Sequence, residues 1–454
     1  MARLFGTDGV RGVANRDVTP ELAFRLGRAA ATVLAVDTDR PLFVVGRDTR
    51  ASGEMLQAAL VAGMLSAGAD CLDAGVIPTP AVAYLTRQRG AQAGAVISAS
   101  HNPVEDNGIK FFGANGYKLS DELESRIEEL VTDLGEGRDR LPRPVGGRVG
   151  RLRVDRQAGR DYLAFLIGTA GFRLDGVRVV IDAAYGACFR LAPRLFARLG
   201  AEVLGLHLSP TGTNINVNCG STHPEYAARR VREEGADLGL TFDGDADRLI
   251  AIDERGNIVD GDHILAICAL DRLRRDALPG KTVVATLYSN LGLRKALQEA
   301  GGELLVTGAG DRQVMEALLA NGLVLGGEQS GHIVFLDSHT TGDGMFTAIQ
   351  LLDVMRRTGR RLSELAEEMP VFPQVLANVR VRSKSGWSEI PEVKEALEEA
   401  KAELGADGQL NVRPSGTEPV IRIMAQGPDR GAVERAVELV RRALEVHLGA
   451  EERN

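Results

Sequence analysis

Aromatic residues are scarce in this chain, at 4% of 454, and cysteine is scarcer still, with four. With so few rings the cores must be aliphatic, and 53 glycines point to many functional loops. The cysteines, Cys71, Cys188, Cys219 and Cys268, lie far apart and fit neither a zinc-ligand spacing nor a disulfide framework. No Asn-x-Ser/Thr acceptor occurs. No apolar run approaches the roughly 18–20 residues of a membrane span, and the opening Met1-Ala2-Arg3-Leu4-Phe5-Gly6-Thr7 lacks the apolar core of a signal peptide. These absences fit a reduced, cytoplasmic protein. Long basic blocks are missing too: 54 Lys+Arg face 62 Asp+Glu, for a net charge of −8. That argues against nucleic acid or an anionic membrane as partner, and leaves room for a local arginine site for one small phosphate.

What the chain does have is repetition. Its length suggests about three domains, and one pattern occurs at three places. Leu42-Phe43-Val44-Val45 leads through a polar loop and a helical stretch to Ala67-Gly68-Ala69-Asp70 and then Cys71-Leu72. Residues 177–181 lead likewise to Leu199-Gly200-Ala201-Glu202, and residues 282–285 to Ala300-Gly301-Gly302-Glu303. Each reads as strand, loop, amphipathic helix, glycine stop and strand, a βαβ unit whose glycine takes the left-handed cap. Near the N-terminus, Thr19 can cap a helix with Pro20 at its first position and Leu22, Leu26, Ala29, Ala30 and Val33 on one face. Residues 135–150, rich in Gly, Arg and Pro, read as a linker or exposed hairpin. Beyond Pro370, short β-like runs at 375–381 and 420–424 precede a helix at 430–448. The expected fold class is α/β: three similar βαβ-containing domains at 1–150, 151–254 and 255–368, and a smaller C-terminal α+β domain at 369–454, around a central cleft.

Several polar strings carry candidate chemistry. Ser98-Ala99-Ser100-His101-Asn102-Pro103 follows the buried run Ala95-Val96-Ile97, and loops at strand C-termini are where α/β sheets keep function. Pro103 fixes its own φ and pushes Asn102 towards extended backbone. Ser100 is thus a candidate nucleophile, although alone the string also reads as a polar turn. A Ser–His hydrolase fits poorly, because His101 is badly placed to serve its neighbour and no Gly-x-Ser-x-Gly elbow occurs. Asp243-Gly244-Asp245-Ala246-Asp247-Arg248 follows a second buried run at 236–242. Carboxylates so crowded repel, and an oxygen-seeking Mg²⁺ relieves the repulsion. Asp243, Asp245, Asp247 and Glu254 match positions 1, 3, 5 and 12 of an EF-hand loop, but Arg248 stands where that loop needs glycine. A solvated acidic turn is the plainer alternative.

Gly327-Glu328-Gln329-Ser330-Gly331-His332 can hydrogen-bond sugar hydroxyls or be an ordinary turn. Arg413-Pro414-Ser415-Gly416-Thr417-Glu418-Pro419, with Arg422 beyond, can gather backbone N–H groups and a guanidinium on a phosphate, or be a plain loop. Gly6-Thr7-Asp8-Gly9-Val10-Arg11-Gly12 and Asn107-Gly108-Ile109-Lys110 each bring one cation, which individually reads as surface charge. Gly280-Lys281-Thr282 lacks the first glycine of a P-loop.

Taken in order, the strings beginning at Gly6, Ser98, Asp243, Gly327 and Arg413 resemble the α-D-phosphohexomutases, most closely the bacterial phosphoglucosamine mutases, over nearly the whole chain. Glu328-Gln329-Ser330 looks like the glucosamine branch. The resemblance implies that Ser100 is the phosphorylated serine. It implies that Asp243, Asp245 and Asp247 hold one Mg²⁺ per subunit, with a phosphoryl oxygen of phospho-Ser100 as a further ligand. Glu328 and Ser330 would grip sugar hydroxyls, and Arg413, Ser415, Gly416, Thr417 and Arg422 the phosphate that is not reacting. Arg11 and Lys110 would lie near the transferring group as charge stabilisers or proton shuttles, with His332 as an acid/base candidate. The implied reaction converts glucosamine 6-phosphate to glucosamine 1-phosphate through glucosamine 1,6-bisphosphate, feeding amino-sugar nucleotide and cell-wall precursor synthesis. The resemblance also suggests a homodimer, and a kinase, self-phosphorylation or a bisphosphate could prime Ser100.

Three other readings compete. A phosphomannomutase/phosphoglucomutase would use the same site on a neutral hexose phosphate. A Mg²⁺-dependent sugar phosphatase needs no second phosphate site, so the Arg413 string argues against it. A sugar-phosphate sensor without turnover is disfavoured by the presence of Ser100 together with the aspartates.

Overall fold

Strand, helix and strand follow one another as the repeats require. In the computed structural model, which describes residues 4–6, 8–35, 38–415 and 419–449, the chain forms four sheets. The first contains β1 (Val10–Val13), β2 (Leu42–Arg47), β3 (Asp70–Val76), β4 (Ala93–Ile97), β5 (Asp106–Gly113) and β6 (Leu152–Val154), in the order β1-β5-β4-β2-β3-β6. The second contains β7 (Arg178–Asp182), β8 (Glu202–Leu206), β9 (Leu238–Phe242), β10 (Leu249–Ile252) and β11 (Ile258–Val259), in the order β11-β10-β9-β7-β8. The third contains β12 (Thr282–Thr286), β13 (Glu303–Thr307), β14 (Leu325–Gly327) and β15 (Ile333–Phe335), in the order β13-β12-β14-β15. The fourth, β16 (Gln374–Arg380), β17 (Gln409–Pro414) and β18 (Val420–Gln426), is wholly antiparallel with β18 in the middle.

The first three sheets share a plan. A parallel pair crosses over through a helix in each: β2 to β3, β7 to β8 and β12 to β13. A third parallel strand then joins the other side, β4, β9 or β14. From its end the chain turns back antiparallel, into β5, β10 or β15. The turns at these three reversals are the Ser100, Asp243 and Glu328 strings. Gly68, Gly200 and Gly301, the expected helix stops, all have positive φ (96°, 106° and 75°).

Two helices pack on the first sheet, α1 (Pro20–Val33) and α2 (Ser52–Ser66). Thr19 Oγ1 accepts from the Leu22 N–H at 3.2 Å, as the capping signal requires. The stretch after residue 135 is not a hairpin. Gly135 ends the helix Asp121–Gly135, and a single 3₁₀ turn, Gly146–Arg148, precedes β6. Wholly buried Arg28 donates to Asp139 at 2.9 Å and to Ser66 at 3.0 Å, so a charge on α1 pins this segment. Leu152–Val154, which the sequence assigns to the second unit, pairs in parallel with β3 of the first.

One aliphatic core runs through the second and third units and takes in one face of the first, including Val44, Val82 and Phe112. The fourth unit has its own core, with Ile421, Ile423, Val433 and Val440 at its centre. Its β16, β18 and terminal helix, Arg430–Leu448, match expectation; the helix Pro391–Leu404 and β17 are additions. Among the described residues, no helix is long and apolar enough to cross a membrane.

The close approach of α1 and α2 depends on glycine. A Cβ at Gly27 would fall 2.1 Å from the Leu60 carbonyl oxygen, and one at Gly63 the same 2.1 Å from that of Phe24. Gly27→Ala is therefore expected to destabilise the protein by about 1–3 kcal/mol through overpacking. Gly168→Ala, where an added Cβ meets nothing within 4 Å, should leave the thermal unfolding midpoint unchanged or slightly raised. Equal midpoints for the two variants would refute this account of the helix contact.

Candidate active site

β4 is buried throughout and delivers the chain into the Ser100 loop at its C-terminal end. The Ser100 N–H donates to Ser98 Oγ at 2.9 Å, and Ser98 Oγ donates to Asp48 at 2.6 Å, so Ser98 is a support. Arg50, buried with its partner Asp48 at 2.9 Å, sits beneath the loop. Its guanidinium donates to the carbonyls of Ser100 (3.0 Å), Asn102 (2.9 Å), Asp106 (3.0 Å) and Pro103. Asn216 adds a second donor to the Ser100 carbonyl at 2.8 Å. These bonds hold Ser100 at φ 51°, a left-handed conformation that costs a residue with a side chain about 1–2 kcal/mol. The acidic loop lies against it: a Cβ at Gly244 would sit 2.5 Å from the Ser100 carbonyl oxygen.

Ser100 Oγ donates to Asp243 Oδ2 at 2.5 Å. Asp243, Asp245 and Asp247 are all buried, with ligand oxygens within 4.8 Å of one another. Burial, together with the charges of Asp247 and Asp245, pushes the Asp243 carboxyl well above the usual carboxylate range. Thr79 Oγ1 donates to Asp245 at 2.6 Å, yet Asp245 Oδ1 and Asp247 Oδ1 are buried with no hydrogen-bond partner among the described residues. Crowded, unsatisfied, oxygen-only donors are what a hard divalent cation takes, so this group can hold a metal. The flanking elements are β9 and β10, which excludes the helix–loop–helix of an EF-hand.

Cations surround the acids. Lys110, on β5, lies 2.8 Å from Asp8, 3.1 Å from Asp245 and 3.9 Å from Asp247. Burial works against its charge, but Asp245 and Asp8 outweigh it and hold the ammonium above the ordinary lysine range. Asp8 also pairs with Arg11 and with Lys118, and Lys118 in turn reaches Asp311. His332 sits 3.5 Å from Asp247 and 3.6 Å from Asp311. Burial opposes its protonation, yet Asp247 and then Asp311 push it up to about 9, so it is an imidazolium at neutral pH and can donate a proton. His101 is the reverse case. Burial first, then Arg248 and Arg11, push it down to about 4, and its Nδ1 is 3.4 Å from Ser100 Oγ, more distant than Asp243.

Glu328 accepts from the Gly310 N–H at 3.2 Å, and Ser330 Oγ is buried without a hydrogen-bond partner among the described residues. A cavity of about 240 Å³ opens at Lys118, Asp311 and His332, lined also by Tyr117, Arg312 and Thr341. The structure thus gathers Ser100, the aspartates, Lys110, Arg11 and His332 into one centre. Asp8, Lys118 and Asp311 complete it; only Asp8 stands within a string that the sequence singles out.

Arg413 and Arg422 lie opposite each other on β17 and β18. Arg413 Nε donates to Tyr288 Oη at 3.1 Å, and its guanidinium stacks 5.2 Å over that ring, which attaches the fourth unit to the third. Ser415 is buried; its N–H donates to the Val420 carbonyl at 2.9 Å and its own carbonyl accepts from Lys384 at 2.7 Å. Gly416 and Thr417 lie outside the described residues.

Residues 2–138, 161–256, 260–372 and 376–443 match, respectively, alpha/beta/alpha domains I, II and III and the C-terminal domain of phosphoglucomutase/phosphomannomutase. A phosphoglucosamine mutase of Moorella thermoacetica is 57% identical over 434 residues, covering 96% of this chain and 97% of its own. A crystal structure of a phosphoglucomutase/phosphomannomutase family protein from Burkholderia thailandensis superposes with a TM-score of 0.82 at 26% identity, covering 99% of both chains. The fold is also similar to that of an Aspergillus fumigatus N-acetylphosphoglucosamine mutase solved with GlcNAc-6P and magnesium, at a TM-score of 0.68 and 17% identity over 97% of this chain and 96% of that one.

Calorimetric titration with Mn²⁺ tests the cation site. Asp243→Asn is expected to weaken binding at least on the order of 10–100-fold, the loss seen when even outer supports of a metal site are removed. Unchanged affinity would exclude the aspartates as its ligands.

Proposed function

Because the chain belongs to the phosphoglucomutase/phosphomannomutase family, the α-D-phosphohexomutases, we infer that it acts as a phosphoglucosamine mutase, converting glucosamine 6-phosphate to glucosamine 1-phosphate. The single observation that carries the site assignment is the 2.5 Å hydrogen bond from Ser100 Oγ to Asp243, inside a buried group of carboxylates ringed by cations. In this reading the enzyme works as phospho-Ser100. The Oγ–P bond breaks as the O1–P bond of the sugar forms, O1 loses its proton and Ser100 Oγ gains one, giving the 1,6-bisphosphate. After the sugar turns end for end, the O6–P bond breaks as the Oγ–P bond re-forms, Ser100 Oγ gives up its proton and O6 takes one.

The chain's own groups supply positioning and charge. Lys110, held as an ammonium between Asp8 and Asp245, faces the phosphoryl oxygens together with Arg11. His332, held as an imidazolium, is the proton donor on the sugar side. Glu328 and Ser330 present acceptor and donor to sugar hydroxyls, and the unsatisfied Ser330 Oγ supports that role. Arg413 and Arg422, with Ser415, Gly416 and Thr417, take the distal phosphate; their separate core in the fourth unit suits an element that closes over the sugar and excludes water. Mg²⁺ held by Asp243, Asp245 and Asp247 would supply Lewis-acid neutralisation of phosphoryl charge. With four free, buried cysteines, the reading is of a cytoplasmic enzyme; a homodimer is part of the same reading, with Ser100 primed by a kinase, by self-phosphorylation or by a bisphosphate.

Incubation of the phosphorylated protein with Mg²⁺ and glucosamine 6-phosphate, followed by ³¹P NMR, is expected to give glucosamine 1-phosphate much faster than the glucose or mannose 6-phosphates react. Preference for a neutral hexose would overturn the glucosamine assignment, and free phosphate alone would indicate a phosphatase. Ser100→Ala should abolish turnover while sugar-phosphate binding persists; turnover at the wild-type rate would refute the phosphoserine. Arg413→Ala removes a charge-assisted grip of roughly 1.5–3 kcal/mol, an expected rise in KM of about 10- to 150-fold. An unchanged KM would take the fourth-unit loop out of the site.

A further inference from the structure

A second convergence of ligating side chains lies in the second unit. Asp182 ends β7, His207 directly follows β8, and Cys219 directly precedes the 3₁₀ turn Gly220–Thr222. One donor atom from each lies within 4.8 Å of the others; Asp182 and Cys219 are fully buried, and the His207 side chain is 17% exposed. Nδ1 of His207 is 2.9 Å from Asp182 Oδ2, yet it is buried and makes no aligned hydrogen bond among the described residues. A plain Asp–His pair would direct the ring N–H along the carboxylate. Here the nitrogen is close to the carboxylate without being aimed at it, as happens when both bind a third centre.

We propose that Asp182, His207 and Cys219 form a second metal site, for a borderline-soft divalent ion of the zinc type. The donor set differs in kind from the all-oxygen group at Asp243. Thiolate, imidazole and carboxylate suit Zn²⁺ or Co²⁺ and disfavour Mg²⁺. Carboxylate and thiolate together neutralise a divalent ion, and three protein donors leave a fourth tetrahedral position for water. As the metal–sulfur bond forms, the thiol proton passes to solvent. The carboxylate is already oriented: Asp182 Oδ1 accepts from the Ala184 N–H at 2.9 Å and Oδ2 from the Gly220 N–H at 3.0 Å, the outer support that ligating carboxylates need.

The site would tie the ends of the loop from His207 to Cys219. That loop contains Asn216, which donates to the Ser100 carbonyl at 2.8 Å. A metal at this position braces the reactive serine from behind and takes no part in the chemistry. The loop has a backbone that benefits from bracing, with positive φ at His207 (53°), Asn216 (60°) and Asn218 (52°).

The test is Co²⁺ titration of the chelator-stripped, full-length protein in excess Mg²⁺. One equivalent of Co²⁺ should produce a near-ultraviolet thiolate-to-cobalt band and tetrahedral visible bands, which Zn²⁺ then abolishes. Cys219→Ser should lose the near-ultraviolet band, and His207→Gln should weaken Co²⁺ binding by on the order of 10–100-fold. Asp243→Asn should keep both. Circular dichroism identifies any variant that has failed to fold, and for such a variant the band is read in Cys219→Ala. Absence of the band in the wild-type protein, or its survival without the Cys219 thiol, would overturn the proposal.

Discussion

The guanidinium of Arg50 is the constraint on which the reactive centre rests. It is removed from water, and Asp48 with the carbonyls of Ser100, Asn102, Pro103 and Asp106 offsets that loss. A buried ion pair broken on one side costs about 3–5 kcal/mol, and here the loop backbone would lose its donors as well. Because β2 and β4 are neighbours in register, Arg50, just past the end of β2, lies directly beneath the turn leaving β4. The parallel sheet thus fixes the serine, and with it the distance to Asp243.

Around that fixed point the charges alternate. Arg11, Lys110 and Lys118 all meet at Asp8; Lys110 continues to Asp245, Lys118 to Asp311, and His332 joins Asp311 to Asp247. Each carboxylate has a cation nearby that lowers the cost of its burial, Arg248 in the case of Asp243. At Asp243 burial and the charges of Asp247 and Asp245 still prevail, and it accepts from the Ser100 hydroxyl at 2.5 Å and the Arg248 N–H at 3.3 Å. The network leaves unsatisfied oxygens between the aspartates while keeping the lysines and His332 protonated beside them.

Much of this was legible in the chain because it is local. The three crossovers, their glycine stops, the Thr19 cap and the strands before Ser100 and Asp243 follow from hydrophobic pattern and turn chemistry within short windows. Arg50 beneath the Ser100 loop, Asp8 with Lys118 and Asp311, Tyr288 under Arg413, and Asp182 with His207 and Cys219 are invisible in the same way for one reason. Each is assembled from segments that only sheet register or unit packing brings together. The helix Pro391–Leu404 escapes notice because its few buried positions, Val393, Ala396, Ala400 and Leu404, are diluted by charge. The stretch after 135 suggests a hairpin by composition, but Arg28 on α1, far away in sequence, decides its path.

The shared strand plan has a consequence for how such a molecule can change. Ser100, the acidic group and Glu328 each occupy a reversal between a parallel strand and its antiparallel neighbour, and each reversal is closed by its own ladder. The third turn is nonetheless tied to the second, because the Leu249 N–H, just past the acidic loop, donates to the Gly331 carbonyl at 3.0 Å and His332 lies 3.5 Å from Asp247. A change in the Glu328 turn is therefore felt at the Asp243 loop, while the Ser100 loop, held from below by Arg50, is anchored within its own sheet.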